Sequence, residues 1–254
     1  MNDNPASIKV PQGSMFLYQQ PEYLNKEDHE NLGWRTPDKP FEFTRSVMSV
    51  PLVASEIASA QKHYPVVFSG QENPVPLAVV SVIKDRNMFV DEDGQWDRNC
   101  YIPSYLRRHP FAVARGEGDQ FAIVIDRASK GISEDPEVPF WEGEELSERT
   151  RQIVDFCGQF EAERNRTRDF TEKLAALGLL SEQKATHPTP EGERPIANFF
   201  AINVEKLNTL PEEEIVAMHG NGYLSFIFAH LFSLENWGRL MVRSNSIIAE
   251  SANA

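Results

Sequence analysis

The sequence has little of what marks secreted or membrane-spanning proteins. It contains only two cysteines, Cys100 and Cys157, and neither belongs to a CxxC pair, which argues against a disulfide framework or a cysteine metal site. Its longest apolar runs, at residues 77–83 and 224–234, are shorter than the roughly 20 residues that cross a bilayer. Residues 1–15 carry no signal-peptide apolar stretch, so we expect a cytoplasmic protein with no membrane span.

Basic residues are also scarce. The chain has 25 lysines and arginines against 38 aspartates and glutamates, which gives a formal net charge of −13. A surface of this charge repels phosphate backbones and anionic lipids. We therefore expect no nucleic-acid partner.

Familiar catalytic signatures are missing. The sequence has no GxSxG elbow, no P-loop, no GxGxxG motif after a strand and no HExxH. The step Asp91-Glu92-Asp93-Gly94 has the spacing that opens a calcium loop, but the twelfth position of such a loop is Ile102 rather than glutamate. Aspartate and glycine also favour tight turns, so we predict a turn here, with no metal and no cofactor.

The order of predicted elements indicates an α+β protein with an antiparallel or mixed sheet in its N-terminal half. Short β-branched runs between turn residues predict strands, and apolar residues spaced by three and four predict helices. Strands are predicted at residues 66–68, 77–83, 87–91, 111–114, 121–126 and 196–202. Helices are predicted at residues 51–63, 147–177, 212–219 and 223–243. Residues 127–146 are predicted to form a loop and residues 181–195 an exposed linker.

These elements predict one domain over residues 15–243. It is sheet-rich at 41–126 and helix-rich at 147–243, and the residues at 1–14 and 244–254 are predicted to be disordered because they are polar or small.

The first 40 residues are predicted to form an extended arm with little regular structure. The arm contains Phe16, Tyr18, Leu32 and Trp34, which are too apolar for a free tail. We therefore expect it to pack across the domain or on a partner subunit.

The most distinctive segment is residues 101–111, which concentrates aromatic, basic and proline residues. Its candidate ligand-binding residues are Tyr101, Tyr105, Arg107, Arg108 and His109. Two guanidinium groups beside an imidazole can hold a carboxylate or phosphate by bidentate hydrogen bonds. The alternative is one helical turn between two prolines, with both arginines paired to surface acids, and this interpretation is favoured.

Further candidate ligand-binding residues lie near the C-terminal helices: His219, Asn221, His230 and Trp237. His219 stands where a helix dipole favours a cation, and Asn221 is predicted to cap the last helix. His230 has no aspartate, glutamate or histidine three or four positions away, so a metal pair on this helix is excluded. A buried, hydrogen-bonded histidine is the more typical case. The last helix is apolar nearly all round, which predicts deep burial or an interface.

Four stretches resemble the SapC family of bacterial proteins. They are SVPLV at 49–53 with YPVVF at 64–68, residues 89–110 ending in LRRHP, the helix end at 174–180, and NGYLSFIFAHLFSLENW at 221–237. The resemblance runs over roughly residues 15–243. It implies an association with surface-layer arrays, or with outer-membrane uptake systems and flavin-dependent tryptophan-halogenase-like enzymes as a cytoplasmic companion. It supplies no catalytic residues.

Two functions follow as hypotheses. The preferred one is a non-enzymatic binding or accessory protein linked to cell-envelope systems, with a protein partner or a second copy in a homodimer. The alternative is an enzyme, or the small-molecule-binding subunit of a halogenase-like or related modifying enzyme, which holds a small anionic ligand at residues 101–111.

Overall fold

The computed structural model describes residues 11, 14–115, 121–189 and 192–253. The chain forms two compact units: unit 1 contains the described residues of 1–43 and 107–161, and unit 2 those of 44–106 and 162–254. Helix makes up 38% and strand 23%, which confirms the α+β class. The single domain over residues 15–243 stays a prediction.

Strands and short helices lie before residue 147, and a long helix, a hairpin and further helices follow. The strands are β1 (Pro21–Tyr23), β2 (Gly33–Trp34), β3 (Ser49–Pro51), β4 (Val66–Phe68), β5 (Pro76–Val79), β6 (Phe111–Arg115), β7 (Phe121–Asp126), β8 (Ile132–Ser133), β9 (Val138–Pro139), β10 (Trp141–Glu142), β11 (Glu145–Leu146), β12 (Leu180–Thr189) and β13 (Gly192–Ile202). The helices are α1 (Lys26–His29), α2 (Ile57–Ala60), α3 (Ser104–Arg107), α4 (Glu148–Ala176), α5 (Val204–Asn208), α6 (Glu212–Gly220), α7 (Tyr223–Ser233) and α8 (Asn236–Asn253).

Unit 1 contains a three-stranded antiparallel sheet in the order β1-β7-β6 and a second sheet in the order β8-β2-β9. The predicted strand pair is confirmed as β6 and β7, and Phe111 pairs with Ile125. Its predicted turn at residues 116–119 lies outside the described residues. Phe111 and Ile125 are both buried in a core with Leu32, Phe140 and Cys157.

The N-terminal arm packs within unit 1, as expected, but it is more regular than predicted. Strand β1 pairs with β7, with Pro21 opposite Asp126, and Tyr18 is buried against Ala112 and Val124. Of residues 1–14, predicted to be disordered, the structure describes only 11 and 14.

The prediction of a loop at residues 127–146 was wrong. This segment contains the strands β8 to β11. Each of them is only two residues long, so none is long enough to show the alternation by which a strand is recognised in a sequence.

Unit 2 is built on a five-stranded sheet in the order β12-β13-β4-β5-β3, with every neighbouring pair antiparallel. The exposed linker predicted at residues 181–195 was wrong, because β12 and β13 form a long hairpin there. Pro195 stands beside the register irregularity at Ala185 and Thr186, and Pro188 lies on the edge strand β12. Edges and irregularities are the places where a sheet tolerates proline.

The helix predicted at residues 51–63 was largely wrong. Pro51 belongs to β3 and pairs with Leu77, and the helical turns cover only Ala54–Glu56 and α2. Pairing with β5 overrides the preference of proline for a helix start.

The predicted strand at residues 77–83 ends at Val79, and residues 87–91 are not a strand. The Ser81 hydroxyl bonds to both the N–H and the carbonyl of Ile83, which turns the chain after β5. The turn predicted at residues 91–94 is confirmed: Gly94 has a φ of +67°, and the isolated bridge Val90–Trp96 flanks it.

Helix α4 was predicted closely. The Ser147 hydroxyl accepts a hydrogen bond from the Thr150 N–H, which caps the first turn. Gly178 ends the helix with a φ of +60°, and the Leu179 N–H donates to the Leu174 carbonyl at 2.9 Å.

The long final helix was predicted in one piece but consists of α7 and α8. Gly222 begins α7 with a φ of +75°, whereas Asn221 ends α6, so the predicted capping role of Asn221 was wrong. Helix α8 continues to Asn253, so the tail predicted to be disordered from residue 244 is helical.

None of the described helices alone is long and apolar enough to cross a bilayer. Taken together, the helices Glu212–Gly220 and Tyr223–Glu250, which are bent by 93° relative to each other, are long and apolar enough by length and composition.

Candidate functional site

The segment at residues 101–111 contains the predicted helical turn, α3, and Leu106 is buried. Tyr101 and Tyr105 belong to unit 2, whereas Arg107, Arg108 and His109 belong to unit 1.

Tyr101 is held by the buried carboxylate of Glu56. Its hydroxyl donates to Glu56 Oε1 at 2.7 Å, and the Ser104 N–H donates to the same oxygen at 2.6 Å. The other oxygen of Glu56 accepts from the Val53 N–H at 3.1 Å. Glu56 therefore accepts hydrogen bonds from three residues of unit 2, and the Tyr101 hydroxyl is one of these three donors.

Arg108 forms the ion pair with an acid that was predicted, but the pair lies in the interior of unit 1 and not at the surface. Arg108 Nη1 is 3.1 Å from Glu161 Oε1, and the two side chains are only 5% and 10% exposed. The guanidinium lies 4.4 Å from the centre of the Phe160 ring. Arg107 is exposed, with its guanidinium over Phe156. The two adjacent arginines thus have different environments.

His109 pairs with Asp126, and Asp126 also fastens the N-terminal arm. His109 Nε2 is 3.3 Å from Asp126 Oδ2, and the carboxylate accepts from the backbone N–H groups of Gln19 and Gln20 at 3.1 and 2.8 Å. Burial raises the pKa of Asp126, but the hydrogen bonds from these three partners outweigh it, and the net pKa lies below its usual value. Phe43 stacks on the imidazole at 3.9 Å.

His230 completes the ladder between β4 and β13. Pairing of Phe200 with Phe68 places Ile202 opposite Val66, and the imidazole lies between their facing backbone groups. The Ile202 N–H donates to His230 Nε2 at 3.2 Å, so Nδ1 carries the proton and donates to the Val66 carbonyl at 2.8 Å. Ser233 Oγ, one turn later on α7, accepts from the Val66 N–H at 2.9 Å.

Burial keeps the His230 imidazole neutral. The side chain is fully buried, and desolvation lowers its pKa to about 4 although the hydrogen bond to Val66 acts in the opposite direction. The prediction of a hydrogen-bonded structural histidine is confirmed.

The other C-terminal candidates do not converge with His230. Trp237 is buried against Phe199, and its indole N–H has no acceptor among the described residues. His219 and Asn221 are exposed at the end of α6. Whether any of these residues binds a ligand stays a prediction.

Helix α7 is apolar on two faces. Ile227, His230 and Ser233 are buried within unit 2. On the outside, Leu224, Phe228 and Phe232 follow one another at intervals of four, and we call this stripe the outer face of α7. Phe228 and Phe232 are 47% and 64% exposed.

Unit 2 also contains a charged cleft of about 1120 Å³ between the loop at residues 85–99 and the last turns of α8. Its lining includes the cations Arg45, Arg86, Arg98 and Arg243 and the acids Asp85, Asp91, Glu92, Asp93, Asp97 and Glu250. Sequence reasoning found the turn in this loop but not the cleft. The lining residues come from three distant parts of the chain, so no local sequence pattern predicts the cleft.

Arg243 joins the two walls of the charged cleft. Its Nε donates to the Met88 carbonyl at 2.7 Å, its Nη2 is 2.8 Å from Asp97 Oδ2, and its guanidinium covers the Phe89 ring at 4.2 Å. Burial raises the pKa of Asp97, but hydrogen bonds from Asn99 and Arg243 lower it by a larger amount. The net pKa is therefore below its usual value. The Asp97 carboxylate is therefore ionised at neutral pH.

Among the described residues, no group of three histidine, cysteine, aspartate or glutamate side chains is placed to hold a metal ion.

The sequence profile of the SapC family matches residues 24–240. The chain belongs to the SapC family. No curated protein and no solved structure matches it.

The SapC match covers the whole of α7 and the loop that forms one wall of the charged cleft. The other wall uses Arg243, Ser246, Ile247 and Glu250, which lie beyond residue 240. The outer face of α7 is therefore inside the matched region, and the charged cleft is only partly inside it.

Proposed function

We propose that this SapC-family protein is a cytoplasmic, non-enzymatic accessory protein of cell-envelope systems that holds a partner protein on the outer face of α7. The observation that carries the proposal is the exposure of Phe228 and Phe232 on a helix whose opposite face is already buried. The link to surface-layer or uptake systems is supported by the family.

The outer face of α7 has enough apolar surface to anchor a partner. A phenylalanine buries roughly 200 Å² when it is fully covered. About half of each ring is open here, so a partner would cover roughly 200 Å² of aromatic surface, worth about 5 kcal/mol. Aromatic side chains commonly carry much of the binding energy of an interface.

The charge of the chain selects the kind of partner. A second copy also carries a net charge of −13 and would be repelled, and an anionic lipid surface would be repelled for the same reason. A protein segment with apolar side chains and a basic rim is attracted both by the apolar outer face of α7 and by the negative charge of the chain. We therefore infer a heterologous partner of that chemistry rather than a homodimer at this face.

A small-molecule-binding subunit is the second candidate function, and the charged cleft favours it. Arg107 and Arg108 give it less support, because the Arg108 guanidinium is engaged by Glu161 inside unit 1.

The docking proposal is tested with defined peptides. An amphipathic helical peptide of leucine and lysine should bind the full chain in a fluorescence-anisotropy titration, and its leucine–glutamate counterpart should bind much more weakly. The double variant Phe228→Ser/Phe232→Ser should weaken binding by about tenfold or more. Phe16→Ser is the matched control, since Phe16 is 47% exposed in unit 1.

Three results would overturn the docking proposal. The first is equal affinity for both peptides, and the second is unchanged binding by the double variant. The third is a different occupant: a dimer in sedimentation experiments, or binding to phosphatidylcholine vesicles, that the double variant abolishes. An unchanged envelope-protein composition after deletion of the gene in its host would contradict the link to envelope systems.

A further inference from the structure

The charged cleft carries side chains of both signs that do not neutralise one another. Arg86 and Arg98 line it and are exposed, as are Asp85, Asp93 and Glu250. Within the part of the chain that the structure describes, none of these five forms an ion pair. Opposite charges in one cleft are therefore held too far apart to meet directly.

Arg45 and Arg243, the other two arginines of the charged cleft, have a structural role. Arg243 is paired with Asp97, and Arg45 donates to the backbone carbonyls of Asp91 and Glu92 at 3.0 and 3.3 Å. These contacts fix the loop at residues 85–99 against its surroundings. The buried rings of Phe89 and Trp96 belong to the same lining. The exposed charged side chains of this loop are therefore attached to a backbone that these contacts hold in place.

We propose that the charged cleft binds a small zwitterion of the amino-acid class, and short peptides with free ends in particular. A simple anion would meet six carboxylates against four arginines, and a simple cation would meet Arg86 and Arg98. A ligand with a carboxylate and an ammonium group satisfies both sets, because guanidinium groups bind carboxylates by paired hydrogen bonds and carboxylates accept from ammonium.

The size of the charged cleft favours a short peptide over a single amino acid. Ligand pockets for small molecules span roughly 300–1,000 Å³. A cleft of about 1120 Å³ lies just above that range, so a single amino acid would leave much of it unfilled. The inference is independent of the docking of a protein on α7, since Phe228 and Phe232 do not line the cleft.

The experiment is a calorimetric titration of the full chain with alanyl-alanine, leucyl-leucine and glutamyl-lysine. Each dipeptide is compared with its N-acetylated and its C-amidated form, and inorganic phosphate is titrated separately. At least one free dipeptide should bind saturably, and blocking either end should weaken binding about tenfold or more.

The variant Arg86→Ala/Arg98→Ala should lose the same binding by about tenfold or more. Its matched control is Arg149→Ala/Arg194→Ala, which removes two exposed arginines that do not line the cleft. All four side chains are exposed, so unchanged thermal unfolding is expected for both variants. Phe228→Ser/Phe232→Ser should leave dipeptide binding intact.

Several outcomes would overturn the zwitterion proposal. They are the absence of saturable binding up to about 10 mM, equal binding of free and blocked dipeptides, or equal loss in the cleft variant and its control. Phosphate binding as tight as the best dipeptide would identify a simple anion site instead.

Discussion

Replacing His230 by alanine should destabilise unit 2 strongly, because the imidazole takes the place of a backbone hydrogen bond between two strands. Its loss leaves the Ile202 N–H and the Val66 carbonyl buried without this partner. Each unsatisfied group costs about 1–3 kcal/mol. We therefore expect the free energy of unfolding to fall by about 4 kcal/mol.

The pH dependence of stability tests the same contact without removing its geometry. The imidazole pKa is about 4 in the folded protein and 6.5 when unperturbed. A group with a lowered folded pKa stabilises the protein fully above the unfolded value, and that contribution is lost as the pH falls toward 4. Between pH 7.5 and 5.0, linkage gives a loss of about 2 kcal/mol from this histidine.

The assay is urea unfolding at both pH values for the wild type and for His230→Gln. Glutamine keeps a donor and an acceptor but does not titrate, so other groups cancel in the comparison. The wild type should lose about 2 kcal/mol more than the variant over this pH interval. His219→Ala, at an exposed position, should follow the wild type. Equal losses in the wild type and His230→Gln would refute a neutral imidazole within the ladder.

Two further predictions concern buried carboxylates. Arg108→Met or Glu161→Leu alone should cost about 3–5 kcal/mol of stability in unit 1, whereas the double variant should recover most of it; additive losses in a double-mutant cycle of denaturant unfolding would contradict their pairing. Tyr101→Phe should cost about 1 kcal/mol and Glu56→Ala about 2–3 kcal/mol, because Glu56 also holds two backbone N–H groups. Equal losses in thermal unfolding would show that the Tyr101 hydroxyl alone accounts for the role of Glu56.

Elements with local signals could be predicted from the sequence. Helix α4 has a capping serine at its start, a glycine at its end and apolar residues spaced by three and four between them. The pair β6 and β7 consists of two apolar runs, and the sequence between them contains Gly116 and Gly118, which favour a turn. In both cases neighbouring residues determine the conformation.

Elements that depend on distant partners could not be predicted in the same way. The prolines of residues 181–195 indicated a linker, but pairing between β12 and β13 overrides that preference. His230 was expected to be hydrogen-bonded, yet its partners Val66 and Ile202 lie 164 and 28 residues away. The charged cleft also depends on residues that are distant in sequence, since Arg45 and Arg243 both contact the loop at residues 85–99.

The interleaving of the two units has a consequence for synthesis of the chain. Strand β4, all three of whose residues are buried in the finished protein, leaves the ribosome long before β13, its neighbour in the sheet. Until residue 202 has emerged, one side of β4 is an uncovered strand edge, which is a template for unwanted association. Slower translation before β13, or shortage of a chaperone, should therefore lower the yield of this protein more than that of one whose units are contiguous in sequence.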